Sequence, residues 1–553
     1  MYLGIDVGGT HTDGALLDDN FDLLKAVKVP TRPAEVLASL LAALEPLLDE
    51  IRPDQVDRLV VSSTLGLNAV LTGQSDPVGV LATGGPGLDP DFSSFPLAVL
   101  LPGAQDHRGA ELEPLDIQAA RRAAADLAGR GARAFAVISK FGPKNSRLEE
   151  GLAQAAALAA PDAPVTRASR LAGRLNLPRR LNTAYLNSSV TRLYGQFIAD
   201  LRAALAQLGL RAPVSLLTAD GGALPLSEAA ERPVLALAAG PAAGLLGLWS
   251  LTHPTGDALM LDVGGTSTDL AVMADGEPLM TAEGLDIAGR PTLVRAFLTH
   301  SLALGGDSAL SLRPDGSVGV GPKREGPALA LSPDDLGRRA PTLTDALNVL
   351  NLCAVGETEV SRLALARFQG GGRPEDAAAR ALETALAAIG LAVGELLRLV
   401  NHRPVYTLGA VRLTRPLRPS GAALLGGPAE ALAEPLARAL GLPVSVPPEA
   451  AVANAVGAAR SRPSIRAELY ADTALGTMSI PGLGLSRAIE RGYHLTEAEN
   501  DLLAALREAG ADRAGAGPPQ IVEVESFNQL SGYGRADKIF RLAAQTTPGV
   551  MGL

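Results

Sequence analysis

Two short stretches of this chain carry residue types suited to gripping phosphate. Asp6-Val7-Gly8-Gly9-Thr10-His11-Thr12-Asp13 recurs as Asp262-Val263-Gly264-Gly265-Thr266-Ser267-Thr268-Asp269, with seven of eight positions identical. Such a match marks an internal repeat. Glycines let a backbone approach an anion closely, and bare N–H groups with threonine hydroxyls donate to phosphate oxygens. The aspartates at the ends, Asp6, Asp13, Asp262 and Asp269, offer hard oxygen ligands of the kind magnesium takes alongside substrate phosphates. Each copy follows an apolar run (Met1 to Ile5, Ala258 to Leu261) and precedes another (Gly14 to Leu17, Leu270 to Met273). That pattern predicts strand, tight turn, strand. Two such hairpins in two related halves would grip one nucleotide from both sides. A plain turn made by Gly-Gly is the alternative for either copy taken singly.

The elements around these hairpins alternate. Helical spacing covers Pro33 to Ile51, and a strand is expected at Arg58 to Ser62, followed by a helix from Leu65. A strand at Val78 to Thr83, a helix at Ile117 to Arg130 and a strand at Ala134 to Ser139 continue the alternation, which predicts an α/β layer with parallel pairs. Arg179 to Leu208 and Pro374 to Val400 read as long helices. Ala238 to Gly244 opens a helix of small residues, which would allow close approach of a second helix or of a ligand. Pro314 to Pro341 looks like a loop excursion, and strands are expected at 405–408 and at Ala422 to Leu425. The latter meets Gly426-Gly427-Pro428. Beyond Arg462-Pro463 the periodicity loosens into a small α+β segment.

The chain has 553 residues, of which 47% are hydrophobic and only 3% aromatic. It is long enough for several domains with a large core, built mainly from Ala, Leu and Val. A net charge of −10 with scattered arginines argues against a nucleic-acid partner, which needs concentrated cations. The single cysteine, Cys353, excludes a disulfide framework within the chain and fits a reducing cytoplasm. Its apolar setting suggests a core residue rather than a nucleophile. No basic leader or long uninterrupted apolar stretch is present, so a soluble cytoplasmic protein without a membrane span is expected.

Taken together, these motifs resemble those of the actin-like ATPase superfamily, and more specifically the hydantoinase/5-oxoprolinase family. The resemblance rests on Gly4 to Asp13, Ser63-Thr64-Leu65 with Asn68-Ala69, Gly240-Pro241-Ala242 with Gly244, and Asp262 to Asp269. Gly305-Gly306 with Ser308, Pro341-Thr342 with Thr344-Asp345, and Gly426-Gly427-Pro428 complete it. It implies two duplicated RNase H-like (actin-like ATPase) domains around a nucleotide cleft, with insertions: residues 1–175, then 176–462 with an inserted subdomain, then the α+β segment 463–553. It implies ATP and magnesium as cofactors, with Gly8, Gly9, Thr10 and Thr12 holding phosphate from one half. Gly264, Gly265, Thr266 and Thr268 would hold it from the other, and Gly426 and Gly427 would lie against adenosine. Asp6 and Asp262 would hold the metal, and Asp13 or Asp269 would orient the attacking oxygen. The implied activity is ATP-driven opening of a cyclic amide such as hydantoin or 5-oxoproline, with a second hydantoinase-type subunit as the expected partner and self-association left open.

The chain also departs from the family pattern. It has no His near Val61 to Thr64, and it has Leu298 and His300 where members carry Asp and His. Asp307 stands in place of a third glycine, and only Glu149 follows Asn145 where a His-Glu pair is common. His300 is therefore a candidate metal or substrate ligand, with a plain hydrogen-bonded His as the alternative. Asp307 could join a metal site or cap a turn, and Asp345 reads as a helix cap. The lost polar groups keep two other readings open. One is a small-molecule kinase of the same fold, the other a nucleotide-binding regulatory subunit.

Overall fold

Tyr2–Val7 is buried from Leu3 onward, as a central strand covered on both faces has to be. It pairs antiparallel with His11–Leu17 and parallel with Arg58–Ser63, which in turn lies parallel to Val214–Leu217. Leu23–Pro30 adds to the far side of the hairpin and Ala223–Pro225 closes the other edge. The second repeat builds the same arrangement. Ala258–Val263 pairs antiparallel with Thr268–Ala274 and parallel with Ala422–Leu425, which lies parallel to Val444–Ser445. Thr299–Leu302 pairs with the hairpin's second strand, as Leu23–Pro30 does in the first copy. The fold is therefore α/β with a duplicated RNase H-like sheet, as the motifs implied.

This computed structural model describes residues 1–552 apart from 33–34, 90, 282, 371, 403–414, 491, 511–514 and 532–534. The strand expected at 405–408 lies outside the described residues. One unit comprises Met1–Gly240, Thr281–Ala296 and Ala459–Gly552, and the other Pro241–Met280 and Phe297–Ala458.

In the first unit the long helix spans Leu177–Gln207. The Asn176 side chain accepts from the Arg179 N–H at 3.2 Å and so caps it, satisfying one of the donors a helix start leaves open. Tyr194, Phe197 and Leu201 on this helix join Leu3, Ile5 and Val61 in one core. A second, mainly parallel sheet contains Ala98–Gln105, Val78–Gly84, Ala134–Ser139 and Val165–Arg167, with the helices Ile117–Gly129 and Arg147–Ala159 packed on it. The C-terminal segment forms a five-stranded antiparallel sheet around Arg466–Asp472, backed by the helix Leu495–Gly510.

In the second unit, Pro374–Asn401 is one helix whose Ala381, Ala385, Ile389 and Leu396 are buried. The stretch expected as a loop excursion contains a strand, Val318–Arg324, paired with Ser308–Leu312. Among the described residues no helix is long and apolar enough to cross a membrane.

Candidate functional site

The two hairpins share one register. Asp6 lies opposite Asp13 and Val7 opposite Thr12, just as Asp262 lies opposite Asp269 and Val263 opposite Thr268. Both turns close the same way, Gly8 N–H donating to His11 O at 3.0 Å and Gly264 N–H to Ser267 O at 2.9 Å. A Cβ at Gly8 would sit 2.8 Å from His11 O, so this turn admits only glycine. Gly9, Thr10, Gly265 and Thr266 are exposed at the tips, where backbone and hydroxyl donors face outward. Thr12 and Thr268 are fully buried instead. The Thr12 hydroxyl meets that of Thr31 at 2.9 Å, and the Thr268 hydroxyl donates to Leu304 O at 2.7 Å. These two threonines fasten each hairpin to the segment behind it.

Opposed residues in an antiparallel pair point to the same face, so each hairpin carries two carboxylates side by side. Two carboxylates with neighbouring backbone donors fit a hydrated magnesium and a phosphate. What surrounds the inner aspartate differs between the copies. Lys28, opposite Asp13 on the third strand, donates to both its oxygens at 2.7 and 2.8 Å. Burial pushes the Asp13 carboxyl up while Lys28 opposes the shift. In the second copy Ser301 occupies the matching place and its hydroxyl donates to Asp269. Burial raises the Asp269 carboxyl and this hydroxyl only partly counters it.

A carboxyl raised on folding binds its proton more tightly in the native chain than in the unfolded one. Stability therefore falls as pH rises from the unfolded value, about 4, through the native one, and neutral pH lies on the lower side of that change. Asp269→Asn is accordingly expected to raise the melting temperature at pH 7 and to leave it nearly unchanged at pH 3. A lower melting temperature at pH 7 would contradict this account.

Asp262 is closely framed. A Cβ at Gly244 would be 2.8 Å from its Oδ2, and one at Gly426 would be 2.1 Å from Val263 O and 3.2 Å from Asp262 Oδ1. Gly426 also has φ of +100°, which only glycine adopts without strain. Gly427 follows it, exposed, just before the helix Ala429–Leu440. The tip of this hairpin is clamped from behind, Gly306 N–H donating to Gly264 O at 2.9 Å and Asp307 N–H to Gly265 O at 2.7 Å. In the first copy, Asn68 approaches Gly9, a Cβ there lying 3.5 Å from its side-chain nitrogen.

The helix of small residues, Ala239–Thr252, serves close packing as well as the approach to Asp262, since a Cβ at Gly247 would be 2.1 Å from Ala453 O. His300 lies opposite Leu270, which puts it on the sheet face away from Asp262, Asp269 and Ser301. Its Nε2 is 4.0 Å from Glu395, so the structure does not bring it together with the aspartates. The Asp307 carboxylate pairs with Arg324 at 2.9 Å. Asp345 is the third residue of a helix capped by Thr342 and is fully buried among N–H and O–H donors. Burial raises the Cys353 thiol, which keeps it an inert packing group.

Glu149, the remnant of the family's His-Glu pair, is a structural residue here. It and Arg180 are both fully buried and meet at 2.8 Å. Glu149 also accepts from Ser139 N–H at 3.1 Å and Ser169 N–H at 2.8 Å, while Arg180 donates to Ser139 O at 2.8 Å. Lys28, Ser301 and Arg180 went unnoticed in the sequence. Only strand register could have pointed to the first two.

The family model "Hydantoinase/oxoprolinase" matches residues 180–467, and "Hydantoinase/oxoprolinase N-terminal region" matches residues 2–93. The chain is 26% identical to the caprolactamase subunit alpha of Pseudomonas jessenii over 77% of this chain and 64% of that protein. It is 25% identical to the acetophenone carboxylase gamma subunit of Aromatoleum aromaticum over 63% of this chain and 53% of that protein. It thus spans less than two thirds of the length of either. Two solved structures share its fold. Nucleotide-free acetone carboxylase matches with a TM-score of 0.73, 18% identity and coverage of 99% of this chain and 87% of that one. The ATP-dependent caprolactamase of Pseudomonas jessenii matches with a TM-score of 0.71, 19% identity and coverage of 100% and 87%. With the Gly-Gly hairpins duplicated in register and more than half of its length matched, this chain belongs to the hydantoinase/oxoprolinase family.

Proposed function

We propose that this chain is the ATP-using component of an enzyme that opens a cyclic amide of the hydantoin or 5-oxoproline type, working in the cytoplasm with a second subunit. The observation that carries the reading is the identical register of two Gly-Gly hairpins, each with paired carboxylates and an exposed Gly-Thr tip. Among the relatives, one is named an ATP-dependent caprolactamase and two are named as subunits, which supports both halves of the reading.

In this reading Gly9 and Thr10, and in the second copy Gly265 and Thr266, donate to phosphate oxygens, while the N–H groups of Gly8 and Gly264, already given to His11 O and Ser267 O, close the turns. Thr12 and Thr268 fasten the turns that present those donors. Gly427, with open space where a side chain would stand, leaves room for adenosine, and Gly426 lets the backbone beside it pass close to Val263 and Asp262. Asp6 and Asp262 hold magnesium, which when bound supplies counter-charge to the phosphates. Asp13 or Asp269 orients the attacking oxygen. Asp269 is the better proton acceptor of the two, because among the described residues no cation neutralises it as Lys28 neutralises Asp13. Phosphorylating the amide oxygen makes a poor electrophile reactive, and the work left to the protein is positioning and charge stabilisation.

The test is ATP hydrolysis with magnesium by the full chain, alone and with any polypeptide that co-purifies with it, with and without hydantoin or 5-oxoproline. Amide-stimulated ATP turnover with a ring-opened product is expected. A phosphorylated hydroxyl product would assign a kinase instead. ATP turnover indifferent to every amide would leave a regulatory subunit.

A further inference from the structure

We infer that the helix Pro374–Asn401 carries a docking face for a second copy of this chain, the two helices packing antiparallel about Leu391. The outer face of a surface helix ordinarily holds charged and polar residues. Here Thr384 to Gly394, three turns of helix, contains no charged residue. Its inner side is spent on the core of the second unit, where Ala385, Ile389, Ala392 and Val393 are buried. Its outer side exposes Ala387 and Leu391, and Leu399 follows two turns on. Leu391 is 70% exposed and Leu399 54%. Residues at four-residue steps share one side of a helix, so these side chains present a single apolar strip to solvent.

The charges at the two ends of this strip fit a copy of itself. Glu383 stands eight residues before Leu391 and Arg398 seven after it. In an antiparallel pair centred on Leu391, each residue comes level with the one equally far beyond the centre on the other helix. Glu383 of each copy then lies level, to within one residue, with Arg398 of the other, and the twofold symmetry makes this contact twice. Glu395 comes level with Ala387, so between Glu383 and Leu399 no two acids and no two arginines are opposed. Both Glu383 and Arg398 are exposed, and among the described residues neither forms an ion pair within the chain. Shifting the centre two residues back, to Ile389, would set Glu395 against Glu383 and Arg398 against Arg380, so the charges select one register.

The backbone permits the approach. An added Cβ at Gly390 or Gly394, on either side of Leu391, would meet open space, so a partner helix can come close there. Nothing in this face depends on the nucleotide site.

Sedimentation equilibrium of the full chain without nucleotide, over a range of concentrations, tests it. A dimer is expected, and Leu391→Lys should leave a monomer that is folded by circular dichroism, because position 391 is exposed. Glu383→Arg should weaken the dimer at least about tenfold, since two attractions become two repulsions. Adding Arg398→Glu to that variant should restore the affinity, which a contact in any other register would not do. A monomeric wild-type chain, a dimer that survives Leu391→Lys, or a double variant no tighter than Glu383→Arg would overturn the assignment. So would release of a co-purifying polypeptide from a monomeric chain by Leu391→Lys, which would give the face to a different subunit.

Discussion

Asp262→Asn is expected to lower magnesium-dependent ATP turnover by on the order of a hundredfold or more while the chain stays folded. The substitution keeps the shape of the side chain, which matters because Gly244 and Gly426 crowd it so closely. It removes the charge that a metal ion or a developing proton transfer would require. Turnover measured beside a melting curve separates the two effects. A fall of less than about tenfold would take Asp262 out of any charge-bearing role. Asp6→Asn, at the same register position of the first hairpin, is the companion measurement.

Glu149→Gln should cost about 3–5 kcal/mol of the first unit's unfolding free energy, the usual result of breaking a buried ion pair from one side. The reason lies in what Arg180 would be left with. Burial already pulls its guanidinium below the ordinary arginine range, and the Glu149 carboxylate is the counter-charge that opposes the shift. With Gln in place, the cation keeps only neutral acceptors, the carbonyls of Ser139 and Lys140 and the amide oxygen at 149, and no counter-charge. The site offers little room to adapt, since a Cβ at Gly142 would be 2.1 Å from Glu149 Oε1. Urea titration of the variant checks the magnitude, and a loss below about 1 kcal/mol would show that water reaches the pair. The double replacement Glu149→Leu with Arg180→Met should recover much of the loss, because no lone charge then remains buried.

The duplicated hairpins were legible because their chemistry is local: eight residues determine the turn, the opposed aspartates and the exposed tip. The helices Leu177–Gln207 and Pro374–Asn401 were legible through uninterrupted helical spacing. Lys28 and Ser301 were not, since their roles arise from pairing across a third strand whose register no short motif encodes. His300 misled in the opposite direction. Its closeness in sequence to Gly305-Gly306 suggested the site, but strand alternation turns it to the other face. The strand Val318–Arg324 was hidden by the Gly and Pro around it.

The C-terminal sheet was obscured for a different reason. Arg466, Glu468, Tyr470 and Asp472 alternate with Ala467, Leu469 and Ala471, yet two of the polar residues, Tyr470 and Asp472, are themselves buried. A strand covered on both sides, with charges on one of them, lacks the contrast that periodicity depends on.

The lysine at position 28 and the serine at position 301 mean that the repeat has diverged at its protons while its backbone stayed the same. A carboxylate locked to an ammonium group is a fixed element. One that meets only a hydroxyl can change its charge during a reaction cycle. Two hairpins of one backbone thus hold one carboxylate by a cation and the other by a hydroxyl, and a lysine placed at 301 would make the second surrounding resemble the first.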